Sequence, residues 1–266
     1  MIERSRRAFL KSAAVSGALT TGAVLLPVGL AGAATAMSQR PGRQHPEPPQ
    51  TRSTTYRLRV TNDSNAFEQF AVYQNDPDLS VSDVMSLAWF VKGAHPRQTV
   101  VFEWAEDYSL TLITETSPGH VSQSVPVDPY NPARQQVQLG YTAGALTLRP
   151  GPVVPDPRFG SIYLGELGDV PDQGPEVVGL AIAGRPAYAL PPAPNKDVVF
   201  TPKLGANYWL TAGTFSPGLA MDIEQIVAPA AIDFSSGVLD LTAVLGPDNT
   251  WTVAPTTTAD AAALGA

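Results

Sequence analysis

The sequence predicts an all-β fold, an antiparallel β-sandwich (a jelly-roll-like order is one form it could take), preceded by a cleavable export leader and a disordered linker. Three observations predict it. Apolar side chains recur with a period of two rather than 3.6 from Tyr56 onward, the periodic segments are short, and 22 glycines and 26 prolines punctuate the chain.

The leader comes first. Ser5-Arg6-Arg7-Ala8-Phe9-Leu10-Lys11 fits the address read by the twin-arginine translocase, with Arg6 and Arg7 as the receptor-read pair and Phe9 and Leu10 opening the apolar contact. The stretch from Ala13 to Ala34 is only mildly hydrophobic, interrupted by glycines, threonines, Ser16 and Pro27. That suits a segment that is translocated and removed better than a permanent membrane anchor. Ala34-Thr35-Ala36 offers a small-x-small cleavage site, with Ala31-Gly32-Ala33 as a second candidate. Residues 1–36 thus read as a signal peptide. The translocase and a signal peptidase are its partners, and the expected destination is the periplasm, the envelope exterior or the medium. The chain has no cysteine, so neither a lipid anchor nor disulfides are available.

Residues 37–54 are rich in Pro, Gln, Arg and Ser and read as a disordered linker. The sandwich domain is expected over 55–255. Tyr56, Leu58 and Val60 alternate with Arg57, Arg59 and Thr61, which gives a half-buried strand. Val100, Phe102 and Trp104, then Tyr108, Leu110 and Leu112, repeat the pattern around Ala105-Glu106-Asp107 and suggest a hairpin. Val137 to Leu148 around Thr142-Ala143-Gly144 suggests a second. Leu241 to Val253 around Gly246-Pro247-Asp248-Asn249 suggests a third, since Pro247 pre-sets a turn. Shorter strands are expected at 70–73, 85–90, 160–164, 177–182, 198–201 and 208–211. Residues 149–159 and 184–196 read as proline-rich loops, and 256–266 as a flexible Thr/Ala tail.

The net charge is -7. Residues 1–36 hold four cations against Glu3, or +3, which leaves -10 for the remainder. An acidic domain without a basic stripe argues against nucleic acid as a partner. No membrane contact is expected once the leader is gone.

Candidate chemistry is sparse. His45, His95 and His120 lie in a linker and two turns, without the spacing of a zinc site. Asp76-Pro77-Asp78 with Asp83 lacks the glycine and terminal glutamate of a calcium loop and reads as a turn. No nucleophile elbow occurs. Glu103, Glu106 and Asp107 flank Trp104 as in glycosidases, but sequence adjacency does not set the separation that such chemistry needs. No cofactor, metal or catalytic residue is assigned. Among the aromatics, Trp104 and Trp251 fall on apolar strand faces and read as core. Tyr208 and Trp209 are neighbours on a strand, so one of them must face outward, and this pair is the candidate ligand contact.

Several segments together resemble the RhiA family: Asn75-Asp76-Pro77-Asp78-Leu79, Met85-Ser86-Leu87-Ala88-Trp89-Phe90 with Lys92, and Val101-Phe102-x-Trp104 with Asp107-Tyr108-Ser109. Phe200-Thr201-Pro202, Tyr208-Trp209, Asp222-Ile223 and Pro247-Asp248-Asn249-Thr250-Trp251-Thr252-Val253 continue the likeness. The resemblance runs from about Tyr56 to Pro255 and weakens after Tyr108, where Leu110 and Leu112 replace aromatics. It implies a non-enzymatic β protein of bacteria living near plant roots, with no catalytic residues to carry over. The expected function is therefore binding or surface interaction, toward a glycan for instance. The rivals are a secreted carbohydrate-active hydrolase using Glu103 or Asp107 and a self-assembling structural protein.

Overall fold

The computed structural model describes residues 54–257 apart from 76–77, 80–83, 115–118, 173, 204, 223–225 and 227. The leader, the linker up to Ser53 and the tail from Thr258 lie outside the described residues. Ser53–Ala266 forms one compact unit, built almost wholly from strands.

Four sheets make two sandwiches. In the first, β18 (Trp251–Pro255), β17 (Asp240–Leu245), β1 (Thr55–Asn62) and β6 (Thr99–Ala105) form one sheet, in that order. Its companion runs β16 (Ala230–Ile232), β15 (Tyr208–Gly213), β2 (Glu68–Gln74), β5 (Phe90–Ala94). In the second sandwich, one sheet is β10 (Ala145–Pro150), β9 (Gln136–Thr142), β11 (Ile162–Glu166), β14 (Asp197–Thr201), with β3 (Asp78–Leu79) at its edge. The other is β4 (Met85–Ser86), β13 (Arg185–Leu190), β12 (Glu176–Ile182), β7 (Tyr108–Thr114), β8 (Val121–Val127). All ladders are antiparallel except β1 with β17 and β9 with β11.

Alternation explains the outer sheets. On β1, Tyr56, Leu58 and Val60 point into the core while Arg57 and Arg59 lie on the outer face and pair with Glu103 and Asp240. The first sandwich closes on rings: Tyr208 stacks on Trp89 at 5.8 Å and 17°, Trp104 meets Trp89 edge-on at 5.3 Å, and Phe234 covers Tyr56 at 4.8 Å. Trp251 is half-buried, its edge against Phe70 at 5.7 Å. The inner sheets differ. Almost every residue of β7, β12 and β13 is buried, and β13 runs against β2. The two sandwiches thus meet through these sheets, where a small second cluster of Leu87, Ile113, Val177 and Ala189 packs.

The two sandwiches have one topology. Replacing β7, β8, β9, β10, β11, β12, β13 and β14 by β15, β16, β17, β18, β1, β2, β5 and β6 carries every ladder of the second onto the first, the parallel pair included, save those of β3 and β4. The chain is therefore a duplication whose halves exchange. Repeat one, β1–β10, gives four strands to each sandwich, and repeat two, β11–β18, completes both. Details coincide. Asp63 N–H donates to Leu245 O at 2.9 Å, as Leu167 N–H does to Leu139 O at 2.9 Å. Arg97 and Asn195 sit at φ 67° and 55° in matching turns, and Gly119 and Gly218 at 76° and 77°. Val100-Val101-Phe102 and Val198-Val199-Phe200 echo each other, as do Tyr108-x-Leu110-Thr111 and Tyr208-x-Leu210-Thr211.

Several sequence expectations change. The strands at 99–105 and 108–114 are not a hairpin: β6 pairs with β1 and β7 with β12 and β8, so Ala105-Glu106-Asp107 carries the chain between sandwiches. The strand expected over 85–90 breaks at Leu87–Trp89, because Trp89 turns inward to donate its indole N–H to Ile182 O at 3.0 Å. The loop expected at 184–196 contains β13, whose two buried faces leave no alternation to read. The hairpins β9–β10 and β17–β18 form as expected.

Gly179 on β12 has no space for a side chain between its ladder neighbours β7 and β13. A Cβ there would lie 2.4 Å from Ile113 Cδ1 and 2.8 Å from Tyr188 O. Gly179→Ala is expected to cost about 1–3 kcal/mol of stability through overpacking, read as a lower urea midpoint with unchanged slope.

Candidate functional site

The structure separates the pair singled out in the sequence. Tyr208 is buried in the first core, 1% exposed, and its hydroxyl donates to Glu106 Oε1 at 2.8 Å, so it is not open to a ligand. Trp209 is the outward neighbour, half-buried and opposite Tyr73 and Ala231 in the ladders. Arg6, Arg7, Phe9, Leu10 and His45 lie outside the described residues, as do Asp76 and Asp83. His95 packs on the exposed ring of Phe67 at 5.0 Å, and His120 lies beside the Gly119 turn. Among the described residues no three His, Asp or Glu side chains converge on a metal position.

The carboxylates weighed for hydrolysis are placed apart in role. Glu103 projects from the outer face of β6 and accepts two bonds from Arg57, from Nε at 3.1 Å and from a terminal nitrogen at 2.9 Å. Asp107 is exposed at the end of the crossing. Glu106, between them, turns inward and accepts Gly205 N–H at 2.8 Å as well as the Tyr208 hydroxyl. Burial raises its pKa, and the Gly205, Tyr208 and Tyr56 donors pull it back. Its charge in turn reinforces what burial does to Tyr56, whose hydroxyl is pushed up to about 12.

An exposed aromatic pair stands close to this crossing. Tyr130, on the β8–β9 loop, and Phe159, on the β10–β11 loop, are 39% and 78% exposed, with ring centroids 4.9 Å apart. Burial raises the Tyr130 hydroxyl, and Glu106 and then Asp128 add to it, which puts the ring within electrostatic reach of Glu106. One buried side chain ties the two loops together. Gln135, 1% exposed, donates from Nε2 to Pro129 O at 2.6 Å and to Arg158 O at 3.2 Å, while its Oε1 has no partner among the described residues. Asp128 Oδ1 accepts Tyr130 N–H at 3.0 Å, and Gly160 N–H donates to Pro129 O at 3.0 Å. The rings are thus held on a hydrogen-bonded base, as a preformed platform requires. Sequence reading missed the pair because its members come from loops 29 positions apart.

Glu166, at the end of β11, is also new. It is 4% exposed, accepts Ala193 N–H, and its Oε1 has no partner among the described residues. Burial lifts its pKa to about 7, against the Ala193 N–H and Lys196, which lower it. The matching position in repeat one is Asn62, a neutral amide whose Nδ2 donates to Ala66 O at 2.8 Å and Ala94 O at 2.9 Å.

The fold and these side chains define a class: a duplicated, all-β two-sandwich protein whose inward polar groups serve its architecture and whose accessible rings stand on pinned loops. The RhiA family profile matches residues 53–256, and the chain belongs to that family. It is 30% identical over 210 residues to Protein RhiA of Rhizobium leguminosarum bv. viciae, covering 76% of this chain and 87% of that protein. No solved structure matches.

Glu166 gives a pH signature. Its pKa is raised on folding, so below the ordinary carboxyl range the protonated group carries no penalty. Stability then falls as pH rises from about 4.5 toward about 7, where the buried carboxylate ionises. Glu166→Gln is expected to add about 1–3 kcal/mol above pH 7 and to leave stability near pH 4 unchanged, measured by urea titration at both pH values.

Proposed function

We propose that this protein is an exported, non-enzymatic binding protein that holds a glycan against its exposed rings outside the cytoplasm of a root-associated bacterium. The observation that carries the reading is the Tyr130–Phe159 pair. Two rings stand open to solvent on a base fixed by Gln135, with the carboxylate of Asp128 at hand to accept sugar hydroxyls. Sugar faces stack on exposed rings, and here two such rings stand side by side. Trp209 is a second, separate candidate, half-buried on the outward side of β15. The relative from Rhizobium leguminosarum bv. viciae supports the bacterial setting. Nothing in the placement of Glu103 and Asp107 favours the hydrolase reading, since Glu103 is committed to Arg57.

The mature chain, passed over immobilised plant and bacterial polysaccharides, is expected to be retained on at least one of them. Phe159→Ala and Tyr130→Ala should each weaken retention roughly tenfold, in line with about 1–3 kcal/mol for a stacked ring. Trp209→Ala measured alongside shows which face is used. Retention on none of the panel would end the glycan reading. Export is checked separately: replacing Arg6 and Arg7 by lysine should leave unprocessed precursor in the cytoplasm, and normal export of that variant would remove the twin-arginine route.

A further inference from the structure

The two sandwiches differ at one edge. In the second, the open edge between its two sheets is closed by a segment from repeat one. There β3 pairs with β14, Leu79 opposite Phe200 and Asp78 opposite Thr201, while β4 pairs with β13, Ser86 opposite Tyr188 and Met85 opposite Ala189. That segment belongs to the long β2–β5 connection. Its counterpart in repeat two, between β12 and β13, is only Ala183-Gly184, too short to close anything. The matching edge of the first sandwich, β5 beside β6, accordingly has no further strand on it among the described residues.

This edge is a groove of about 410 Å³, and its lining includes Phe90, Val91, Phe102 and Glu103. These four match Tyr188, Ala189, Phe200 and Thr201, the residues that β3 and β4 pair with in the second sandwich. We propose that the β5–β6 edge is a strand-addition site for an extended, acidic peptide segment of a partner protein. The backbone groups along the edge supply the ladder. The groove supplies the charge preference: Lys92 Nζ lies 5.5 Å over the Phe102 ring and donates to Val101 O, and the Arg185 guanidinium lies 4.8 Å over Phe90. Neither cation has a carboxylate within ion-pair distance among the described residues, and Glu103 opposite them is neutralised by Arg57. A lysine on a free edge also guards against aggregation. That role does not account for Arg185, which reaches the groove from β13 of the other sandwich. The segment on the equivalent edge has the complementary composition, since residues 75–89 carry Asp76, Asp78 and Asp83 and no cation.

The test uses the full mature chain and a fluorescein-labelled synthetic peptide with the sequence of residues 75–89, followed by anisotropy. The peptide is expected to saturate at tens to hundreds of micromolar, roughly -5 to -6 kcal/mol by standard affinity arithmetic. Binding should weaken at least about tenfold in Lys92→Glu/Arg185→Glu and fall with added salt. A peptide with its three aspartates changed to lysine should not bind. Both substituted side chains are exposed, so unchanged circular dichroism certifies the variant's fold. No binding up to about 1 mM, a regime of only about -4 kcal/mol, would overturn the proposal, and so would equal binding by the double variant or by the charge-reversed peptide. A dimer of the unmodified chain in sedimentation that the double variant abolishes would assign the edge to a second copy and overturn the partner named here.

Discussion

The crossing at Ala105-Glu106-Asp107 is the constraint on which the rest of the structure depends. Each sandwich needs four strands from each repeat, so the chain must leave the first sandwich after β6 and enter the second at β7. Repeat two makes the return crossing between β14 and β15. The two crossings are bonded to each other, through Gly205 N–H and the Tyr208 hydroxyl on Glu106. They are also fastened to matching strand ends, Ala183 N–H to Asp107 O at 2.9 Å and Asn75 N–H to Asn207 O at 3.4 Å. A half-buried carboxylate is unfavourable in isolation. Here three donors face it, and the tether joins the two repeats where they exchange. Neither sandwich can then form without both halves, and most of its pairing is distant in sequence. That topology predicts slow, cooperative folding and compensates for the absence of disulfides.

A duplication makes its own control. Where the repeats agree, in the turns at Arg97 and Asn195 or the paired bonds at Asp63 and Leu167, the shared feature is explained by the fold. Where they differ, the fold does not require the difference. Asn62 meets its loop with a neutral amide whose donors and acceptor are used, whereas Glu166 brings a carboxyl that satisfies one oxygen and strands the other. The β13–β14 edge is capped, and the β5–β6 edge carries no further strand among the described residues. The β8–β9 loop lifts Tyr130 into solvent, while the corresponding β16–β17 loop drives Phe234 into the core against Tyr56 and Trp104. These departures mark residues whose reason lies outside the shared architecture.

Strands with one solvated face were legible in the sequence. β1 and β17 alternate cleanly because Arg57, Arg59 and Thr242 lie on a polar, partly exposed face opposite a core face. β13 was not, because both of its faces are covered and a fully buried strand has no period to detect. The false hairpin arose from treating neighbours in sequence as neighbours in a ladder, the commonest arrangement, which a half-exchanged duplication violates. A spacing signal existed: Val-Val-Phe recurs after 98 positions, Tyr-x-Leu-Thr after 100 and Ser-Pro-Gly after 99. The opposed faces of Tyr208 and Trp209 followed from strand geometry alone. Glu166 and the Tyr130–Phe159 pair could not be found that way, because burial and ring contact are set by loops distant in sequence.

The family and the geometry constrain function from opposite sides. Family membership fixes the scaffold without assigning chemistry, and the side chains that could perform chemistry are largely consumed by structure. Glu103 is held by Arg57, Glu106 by the crossing and Glu166 by Ala193. Catalysis by a carboxyl pair needs one protonated and one ionised group facing a common reacting bond. Here Glu103 points away from the core on an outer sheet while Glu106 points into it. What remains accessible among the described residues is aromatic surface on pinned loops and a cationic groove on an acidic chain. Surfaces of that kind recognise by stacking and by strand pairing, which cost the protein little conformational entropy because the loops and edges are already ordered before a ligand arrives.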